Sequence, residues 1–446
     1  MISSPLARGA CPSLSAPMLT GDGLLVRLNP LEPGFLPHIL AGIAEAAARH
    51  GNGIVEITSR GSLQVRGLTE KSAVLLAGDV AALGIRPRTG VPVETSPLAE
   101  LDPKENPATA ELAANIRSLV STGGLSARLG PKVSVIVDGN GSLTLDGLAA
   151  DIRLLALDRS ADRWLLATGG DGRTCRPVGV MNSADAPHAV KTLLERIAAR
   201  GKSARGRDLG DADIAALARG PRPAPAPAEI PIKASPVPIG RFALSNGNAA
   251  LGLGLEFGQT EAADLIGLCD RASRLGASEI RLAPAHAILM LGIAEERLDE
   301  MGEMAARLGM IVEPGDPRLS IAACPGAPAC HAGHFAARKI AAGIADAHGA
   351  MLDGSFRLHV SGCEKRCARP SGPTLTIVGA AAGARFEVSA AAQARTLARA
   401  DERGIAPAFA RIAQACRDGR KTSETFADVL ARLEPLRDDE EFGQPR

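Results

Sequence analysis

Four of the eight cysteines in this 446-residue chain fall into two tight pairs, Cys324-Pro-Gly-Ala-Pro-Ala-Cys330 and Cys363-Glu-Lys-Arg-Cys367, with thirty-two residues between them. Four thiolates are what a 4Fe-4S cluster takes, one sulfur for each iron. Gly326, with Pro325 and Pro328 around it, favours a bent, non-helical loop that can wrap Cys324 and Cys330 around two corners. Gly362 gives the same freedom ahead of the second pair, where three intervening residues predict Cys363 and Cys367 one helical turn apart on one face. Two other chemistries compete for the quartet. Disulfides belong to exported chains, and nothing here marks one; structural zinc usually takes two- to four-residue spacings in both pairs. The spacing points to a 4Fe-4S cluster on Cys324, Cys330, Cys363 and Cys367, with zinc as the alternative.

Lys365, Arg366 and Arg369 surround the second pair. Their positive charge would offset the thiolates and raise a cluster's reduction potential; the competing reading is a solvated basic face. Cys11, Cys175, Cys269 and Cys416 have no partner in sequence and read as small buried hydrophobes. The chain contains no G-x-G-x-x-G stretch, so no nicotinamide site of that kind is expected.

The scaffold must be large. A chain of this length exceeds one ordinary core, and two to four domains are expected. Hydrophobic residues make up 46% of it but aromatics only 2%, so Ala, Leu, Val and Ile must build the interior. A formal charge of +1 gives no global reason to expect nucleic acid or a membrane surface as partner. The first twenty residues lack a basic stretch followed by an apolar one, and no run of eighteen apolar residues occurs. The expectation is a soluble, cytoplasmic protein.

In chain order, a turn at 21–23 leads into a strand ending at Leu28, residues 34–49 read as an amphipathic helix, and strands at 53–59 and 63–68 precede a helix over 69–83. The same outline returns: strand signals over 241–257, a helix over 259–275, strands at 278–282 and 286–293, and a helix over 294–308. Residues 51–68 and 276–293 share length and apolar positions, which reads as an internal duplication. Each half is followed by a longer α/β stretch, the first with a helix near 107–122 and strands at 132–138 and 164–168, the second with the four clustered cysteines. Seven prolines in residues 221–238 read as a semi-rigid linker. The expected division is 1–85, 91–218, a linker at 219–239, 240–308, 309–436 and a tail at 437–446.

The cysteine pairs, the duplicated half-domains and the stretch ITSRGSLQVRGL (57–68) together resemble the sulfite and nitrite reductase family. Within it, RGACPSL, GDGLLVRL, SPLAELDP, ACPGAPAC and HVSGCEKRC look most like the precorrin-3B synthases, and the resemblance runs from residue 8 to about 436. It implies an α+β fold of duplicated sulfite/nitrite reductase-like architecture: two ferredoxin-like half-domains and two larger α/β segments in pseudo-twofold symmetry, enclosing a tetrapyrrole beside the cluster. It also implies an oxygen-dependent monooxygenase of cobalamin biosynthesis that converts precorrin-3A to precorrin-3B, with a hydroxyl at C20 and a γ-lactone on ring A. A mononuclear non-haem iron that activates O2 belongs to that picture. Electrons are expected from NADH through a separate reductase partner. A sirohaem-dependent sulfite or nitrite reductase, or a non-catalytic tetrapyrrole-binding or electron-transfer protein, is the alternative.

By motif position, Arg27, Arg60 and Lys132 match anion-binding residues of the reductases, and Arg66, on the hairpin of Arg60, joins them as a candidate. Arginine forks suit the carboxylates of a tetrapyrrole precursor; the competing reading for each is a solvated strand edge. Two basic positions of the reductases are missing, one near Arg88-Thr89-Gly90-Val91 and one at Ser134. For mononuclear iron the candidates are His331 and His334, expected on one face of a helix beginning there, and His359, expected at the end of a strand. They form no recognisable triad with a carboxylate, and simple exposure or a role beside the cluster is the alternative. The sequence names no catalytic residue.

Overall fold

The computed structural model describes residues 12–121, 124–219, 223–227, 237–390 and 393–436. Cys11 and the tail at 437–446 lie outside the described residues, as does most of the proline-rich stretch. Within that stretch Ala224 bridges Val180 through a backbone pair at 2.7 and 2.8 Å.

The chain lays down its elements in four passes. The first contains β1 (Met18–Thr20), β2 (Gly23–Leu28), β3 (Gly34–Phe35), α1 (Pro37–His50), β4 (Ile54–Ile57), β5 (Leu63–Leu68) and α2 (Glu70–Ala82). The second contains β6 (Val93–Glu94), α3 (Thr109–Ser121), α4 (Leu125–Arg128), β7 (Val135–Asp138), β8 (Ile152–Ala156), β9 (Trp164–Thr168), β10 (Arg176–Met181), α5 (Ala186–Ala199) and α6 (Asp211–Ala215). The third repeats the first with β11 (Gly240–Ala243), β12 (Ala249–Gly254), β13 (Gln259–Glu261), α7 (Ala262–Arg274), β14 (Glu279–Ala283), β15 (Ala287–Leu291) and α8 (Leu298–Arg307). The fourth repeats the second with β16 (Ile321–Ala323), α9 (Ala337–His348), β17 (Arg357–Ser361), β18 (Thr374–Ala380), β19 (Gly383–Ala390), β20 (Gln393–Ala400), α10 (Ile405–Gly419) and α11 (Phe426–Arg432).

Among the described residues the strands form four five-stranded sheets, and their orders reveal the duplication. Two run β1-β2-β5-β4-β13 and β11-β12-β15-β14-β3. Each is completed by a short strand from the other half: Thr260 pairs with Val55, and Phe35 with Ile280. The other two run β6-β7-β8-β9-β10 and β16-β17-β18-β19-β20, each with three parallel strands followed by two antiparallel ones. The α+β architecture read from the sequence is the one observed.

Where element ends differ from the pattern, a nearby constraint explains it. The helix expected from 34 starts at Pro37, because Leu36 before the proline is extended (ψ 144°) and Gly34–Phe35 are taken by sheet pairing. The helix expected from 259 starts at Ala262, since Gln259–Glu261 pair with β4. Tertiary pairing overrides helical periodicity at both places, and the two places are equivalent in the duplication.

One core serves both half-domains. Buried Leu40, Ile43, Ala44 and Ala47 of α1 belong to the same apolar cluster as Leu265, Leu268, Cys269 and Ala272 of α7. The small residues at this contact allow the two helices to approach closely. Because that core cannot be divided, Leu268→Ala should cost roughly 2–5 kcal/mol and should lower the stability of the first sheet as well as its own. Urea unfolding followed by hydrogen exchange should show β4 and β15 losing protection together; independent loss would contradict the shared core.

Candidate metal centre

The cysteine loops leave the carboxyl ends of two adjacent parallel strands, where open α/β sheets present their ligand sites. Cys324 follows β16 directly and Cys363 stands two residues beyond β17. The Cys324 N–H donates to Val360 O at 3.0 Å, extending the ladder, and the Gly362 N–H donates to Cys324 Sγ at 3.1 Å. His334 N–H donates to Gly362 O at 2.8 Å, so the two loops are stitched together.

Glycine makes that contact possible. A Cβ on Gly362 would stand 3.1 Å from Gly326 Cα and 3.4 Å from Gly333 Cα, and one on Gly379 would collide with Gly362 O. Gly326 adopts φ +66°, a conformation that L side chains disfavour. Backbone lies on backbone here, leaving the thiols as the groups projecting from the seam.

Cys324 and Cys363 are buried, Cys330 is half-buried and Cys367 is exposed; all four are free thiols. Burial pushes the Cys324 thiol up, the Gly362 and Gly326 N–H groups oppose it, and neighbouring Cys363 and Cys330 push it further. Thiolates crowded in this way want a compensating cation, which iron supplies. A zinc ion would draw four sulfurs to about 2.3 Å from one centre. Among the described residues no three His, Cys, Asp or Glu side chains are gathered into one metal-holding group, the four cysteines included, so it is the spacing of the two pairs that favours a cluster over zinc. Cys324, Cys330 and Cys363 act on one another at this seam, with exposed Cys367 four residues beyond Cys363, and these thiols, a backbone N–H aimed at sulfur and a side-chain-free seam fit a 4Fe-4S cluster.

The local conformations differ from the sequence expectation in two places. Cys363 and Cys367 are not a helical turn apart: residues 362–368 form turns, and Arg366 has φ +48°, which no α-helix accommodates. His331 and His334 are not on a helix, because α9 begins only at Ala337 and the residues before it spend their backbone groups on loop bonds such as Ala327 N to Phe335 O at 2.9 Å. Both are exposed. His359 lies in the middle of β17 rather than at its end, with 0% exposure and neither ring nitrogen hydrogen-bonded among the described residues. Burial, with Arg366 and Arg369, lowers its pKa to about 4 and keeps the imidazole neutral. The structure does not bring these three histidines together as one ligand set. Arg366 donates to Glu387 at 2.6 Å, so a carboxylate already answers its charge.

The basic candidates fall into two groups. With the Gln64 amide oriented by its neighbours, its oxygen accepts from Arg27 Nε at 3.0 Å and Nη2 at 2.8 Å, and its nitrogen donates to Glu56 at 3.0 Å. Glu56 in turn meets Arg66, whose fork also binds Asp22. Arg27 and Arg66 therefore share one network. Arg60 stands in the β4–β5 turn, exposed, and its Nη1 donates to Ala149 O at 2.9 Å across to the second sheet layer. Burial lowers its pKa even so; Glu94 opposes the shift and Arg153 adds to it. Lys132 is exposed on the turn before β7 rather than in the strand, and its carbonyl accepts from Arg205 Nη2 at 3.1 Å. Arg88, near the missing basic position, is committed to a two-pronged pair with Glu94 at 3.0 and 3.1 Å.

Of the remaining cysteines, Cys269 and Cys416 are buried, with thiols pushed up by that burial to about 12 and about 11. They are inert packing groups. Cys175 is half-buried.

Sequence reasoning missed Asp22, Glu56 and Arg338, whose pairing only the fold reveals, and Glu105. Glu105 is 4% exposed, neither oxygen has a hydrogen-bond partner of good geometry among the described residues, and its pKa is pushed up to about 8. Burial is the main cause and Asp138 and Asp102 add to it, while the nearby Gly139 N–H opposes it.

Comparison with known proteins gives a consistent picture. Residues 16–82 match the nitrite/sulfite reductase ferredoxin-like half domain. The chain is 38% identical over 441 residues to a precorrin-3B synthase of a Sinorhizobium species, covering 98% of this chain and 95% of that protein. It is 29% identical over 139 residues to sulfite reductase [ferredoxin] 2 of Mycolicibacterium paratuberculosis, covering 29% of this chain and 25% of that protein. The fold matches the NirA protein of Mycobacterium tuberculosis with a TM-score of 0.72 at 18% identity, over 92% of this chain and 84% of that one.

Two outcomes follow from this geometry. Cys324→Ser, Cys363→Ser and Gly362→Ala should each lower bound iron and acid-labile sulfide, the last by crowding the Gly326 backbone at 3.1 Å; full retention by all three would refute the site. Glu105 holds in the fold a proton that the unfolded chain releases, because its pKa is raised above the ordinary 4.5. It therefore costs stability progressively as pH rises from about 4.5 to about 8. Glu105→Gln should be near neutral at pH 4 and stabilising by roughly 2–5 kcal/mol at pH 8, measured by denaturant unfolding at the two pH values.

Proposed function

The chain belongs to the precorrin-3B synthase family, and we propose that it is the monooxygenase that converts precorrin-3A to precorrin-3B, hydroxylating C20 and closing a γ-lactone on ring A. The observation that carries this reading is the similarity to a precorrin-3B synthase over 98% of the chain. Similarity to the sulfite reductase spans only 29% of it. Ser134 and the Arg88–Glu94 pair further weaken the case for the reductases' anionic substrate.

In this reading Cys324, Cys330, Cys363 and Cys367 hold a 4Fe-4S cluster, which supplies single-electron transfer when bound. O2 is the co-substrate. One of its oxygen atoms enters the C20 hydroxyl and the other leaves as water, so the reaction takes up two electrons and two protons. NADH provides the electrons through a separate reductase, since the chain lacks the glycine fingerprint of a nicotinamide site. The described residues do not present a ligand set for a mononuclear iron. His331, His334 and His359 are assigned no step.

Arg60 and Lys132 are the residues proposed to receive the carboxylates of precorrin-3A. Arg60 is permanently charged and exposed, the condition in which a fork can exchange water for a carboxylate. Arg27 orients its guanidinium against Gln64 and holds the wall of the same half-domain. The site of action is cytoplasmic in this reading; among the described residues no helix is long and apolar enough to cross a membrane.

The test is turnover with labelled O2, precorrin-3A and a competent reductant after anaerobic purification. Label is expected in the C20 hydroxyl, and its absence would sink the assignment. Tightly bound sirohaem with sulfite or nitrite reduction would favour the reductase alternative, and ligand binding without turnover the non-catalytic one. Arg60→Gln should raise KM for precorrin-3A roughly tenfold to a hundredfold, the worth of one charge-assisted hydrogen bond, with unchanged iron content.

A further inference from the structure

The loop carrying Cys330 is gripped from outside its own sheet. Ala329 O accepts two hydrogen bonds from the first half-domain, one from the Gly21 N–H at 3.1 Å and one from Arg66 Nη2 at 2.7 Å. Gly21, in the β1–β2 turn, leaves no room for a side chain: a Cβ there would collide with Pro328 O and stand 2.9 Å from both the nitrogen and the carbonyl carbon of Cys330.

Arg66 is itself immobilised. Its Nε and Nη2 fork Asp22 at 3.0 and 2.9 Å, its Nη1 reaches Glu56 at 3.4 Å, and its side chain is 5% exposed. Glu56 also accepts from Arg338 Nη1 at 2.6 Å, and Arg338 lies in the first turn of α9, directly after the cysteine loop. Two arginines and two carboxylates thus pin both the loop and the helix behind it. All the polar atoms of the Arg66 fork are engaged within the protein, leaving it poorly placed to receive a substrate carboxylate.

The duplication offers an internal comparison. Arg281, from the second half-domain, donates to Pro97 O at 3.1 Å and Ala99 O at 3.3 Å, while Ser245 in the β11–β12 turn donates its N–H to Leu101 O at 2.7 Å. Residues 97–101 follow β6 as the cysteine loop follows β16. The β11–β12 turn reaches across as the β1–β2 turn does, but Arg281 stands at the place of Glu56 in the repeat, not of Arg66, its contacts fall on other carbonyls, and no thiol is held there.

We propose that Arg66 and the Gly21–Asp22 turn are positioning residues for the metal centre: they set where Cys330 stands relative to Cys324, and so shape the cluster's redox potential and its durability toward oxygen, instead of binding substrate. This rests on the assignment of a 4Fe-4S cluster to the four cysteines. Arg66→Lys keeps the charge and loses the fork; Gly21→Ala leaves every charge in place and displaces the loop. Arg281→Gln removes an arginine contact from the other half-domain onto a loop that holds no cysteine, and serves as the control for a loss of stability alone.

Iron and sulfide counts, the electron paramagnetic resonance spectrum of the reduced protein, redox titration and the rate of cluster loss in air are measured on the whole chain. Arg66→Gln and Gly21→Ala should shift the spectrum and the potential and lose iron roughly tenfold faster, about the worth of one well-made hydrogen bond. Arg66→Lys should fall between them and the wild type, and Arg281→Gln should match the wild type in spectrum and potential. If Gly21→Ala and Arg66→Gln both keep wild-type redox and spectral behaviour, or if Arg66→Gln only weakens precorrin-3A binding, the inference is overturned. Should Arg66→Gln fail to fold, Gly21→Ala decides alone. A wild-type protein without four irons and four sulfides would instead bring down the cluster assignment, and this inference with it.

Discussion

Gln259, Thr260 and Glu261 pair with Glu56, Val55 and Ile54, while Gly34 and Phe35 pair with Arg281 and Ile280. This exchange of short strands is the constraint from which the rest of the molecule follows. Neither half-domain sheet is complete alone, and each exposed edge is capped by its counterpart's chain. Once β13 lies on β4, α7 must begin at Ala262 and run against α1, since the chain has no slack between them. The common core of α1 and α7 is therefore a consequence of the pairing as much as its support.

The exchange also fixes what each hairpin can reach. The β1–β2 turn touches the Cys330 loop of the fourth pass, and the β11–β12 turn touches the 97–101 loop of the second. A duplicated fold has thereby produced two equivalent settings at the carboxyl ends of parallel strands. In one, Cys324 and Cys363 follow β16 and β17; in the other, Glu105 lies in the loop after β6 and Asp138 ends β7. Asp138 is stitched to the Asn140 and Leu145 N–H groups at 2.9 and 2.6 Å, and Asp102 to the Lys104 N–H at 2.9 Å, so these carboxylates hold turns. The same backbone can carry thiols or carboxylates at these ends, depending on what replaces what at a few positions.

Much of this was legible in the residues. The apolar periodicity of 63–68 and 164–168 located β5 and β9 to the residue, and the internal likeness of 51–68 and 276–293 anticipated two matching sheets. The two cysteine pairs stand out in the sequence because thiols so spaced have few uses, and the fold places Cys324 and Cys363 at the ends of adjacent strands. What stayed hidden is what depends on distant partners. Nothing local tells that Gln259–Glu261, an acceptable helix start, will be drawn into another half's sheet. Arg66 and Arg60 look alike in the sequence, yet one is buried among Asp22, Glu56 and Ala329 O while the other stands open to solvent. The positive φ of Arg366, which breaks the helical turn expected between Cys363 and Cys367, has no signature in residue type.

The exchanged strand also imposes a timetable. On a growing chain β4 is finished at Ile57, but the residues that cap it, 259–261, are not yet made. At roughly 5–20 residues per second of synthesis the bare edge waits on the order of 10–40 seconds. During that interval the first sheet is a partial structure with an open pairing face, exposed to any other strand in the vicinity. A chain with this topology closes the edge of its first sheet only when residues 259–261 have been made, and until then the shortness of that four-residue edge is what limits pairing with a foreign strand.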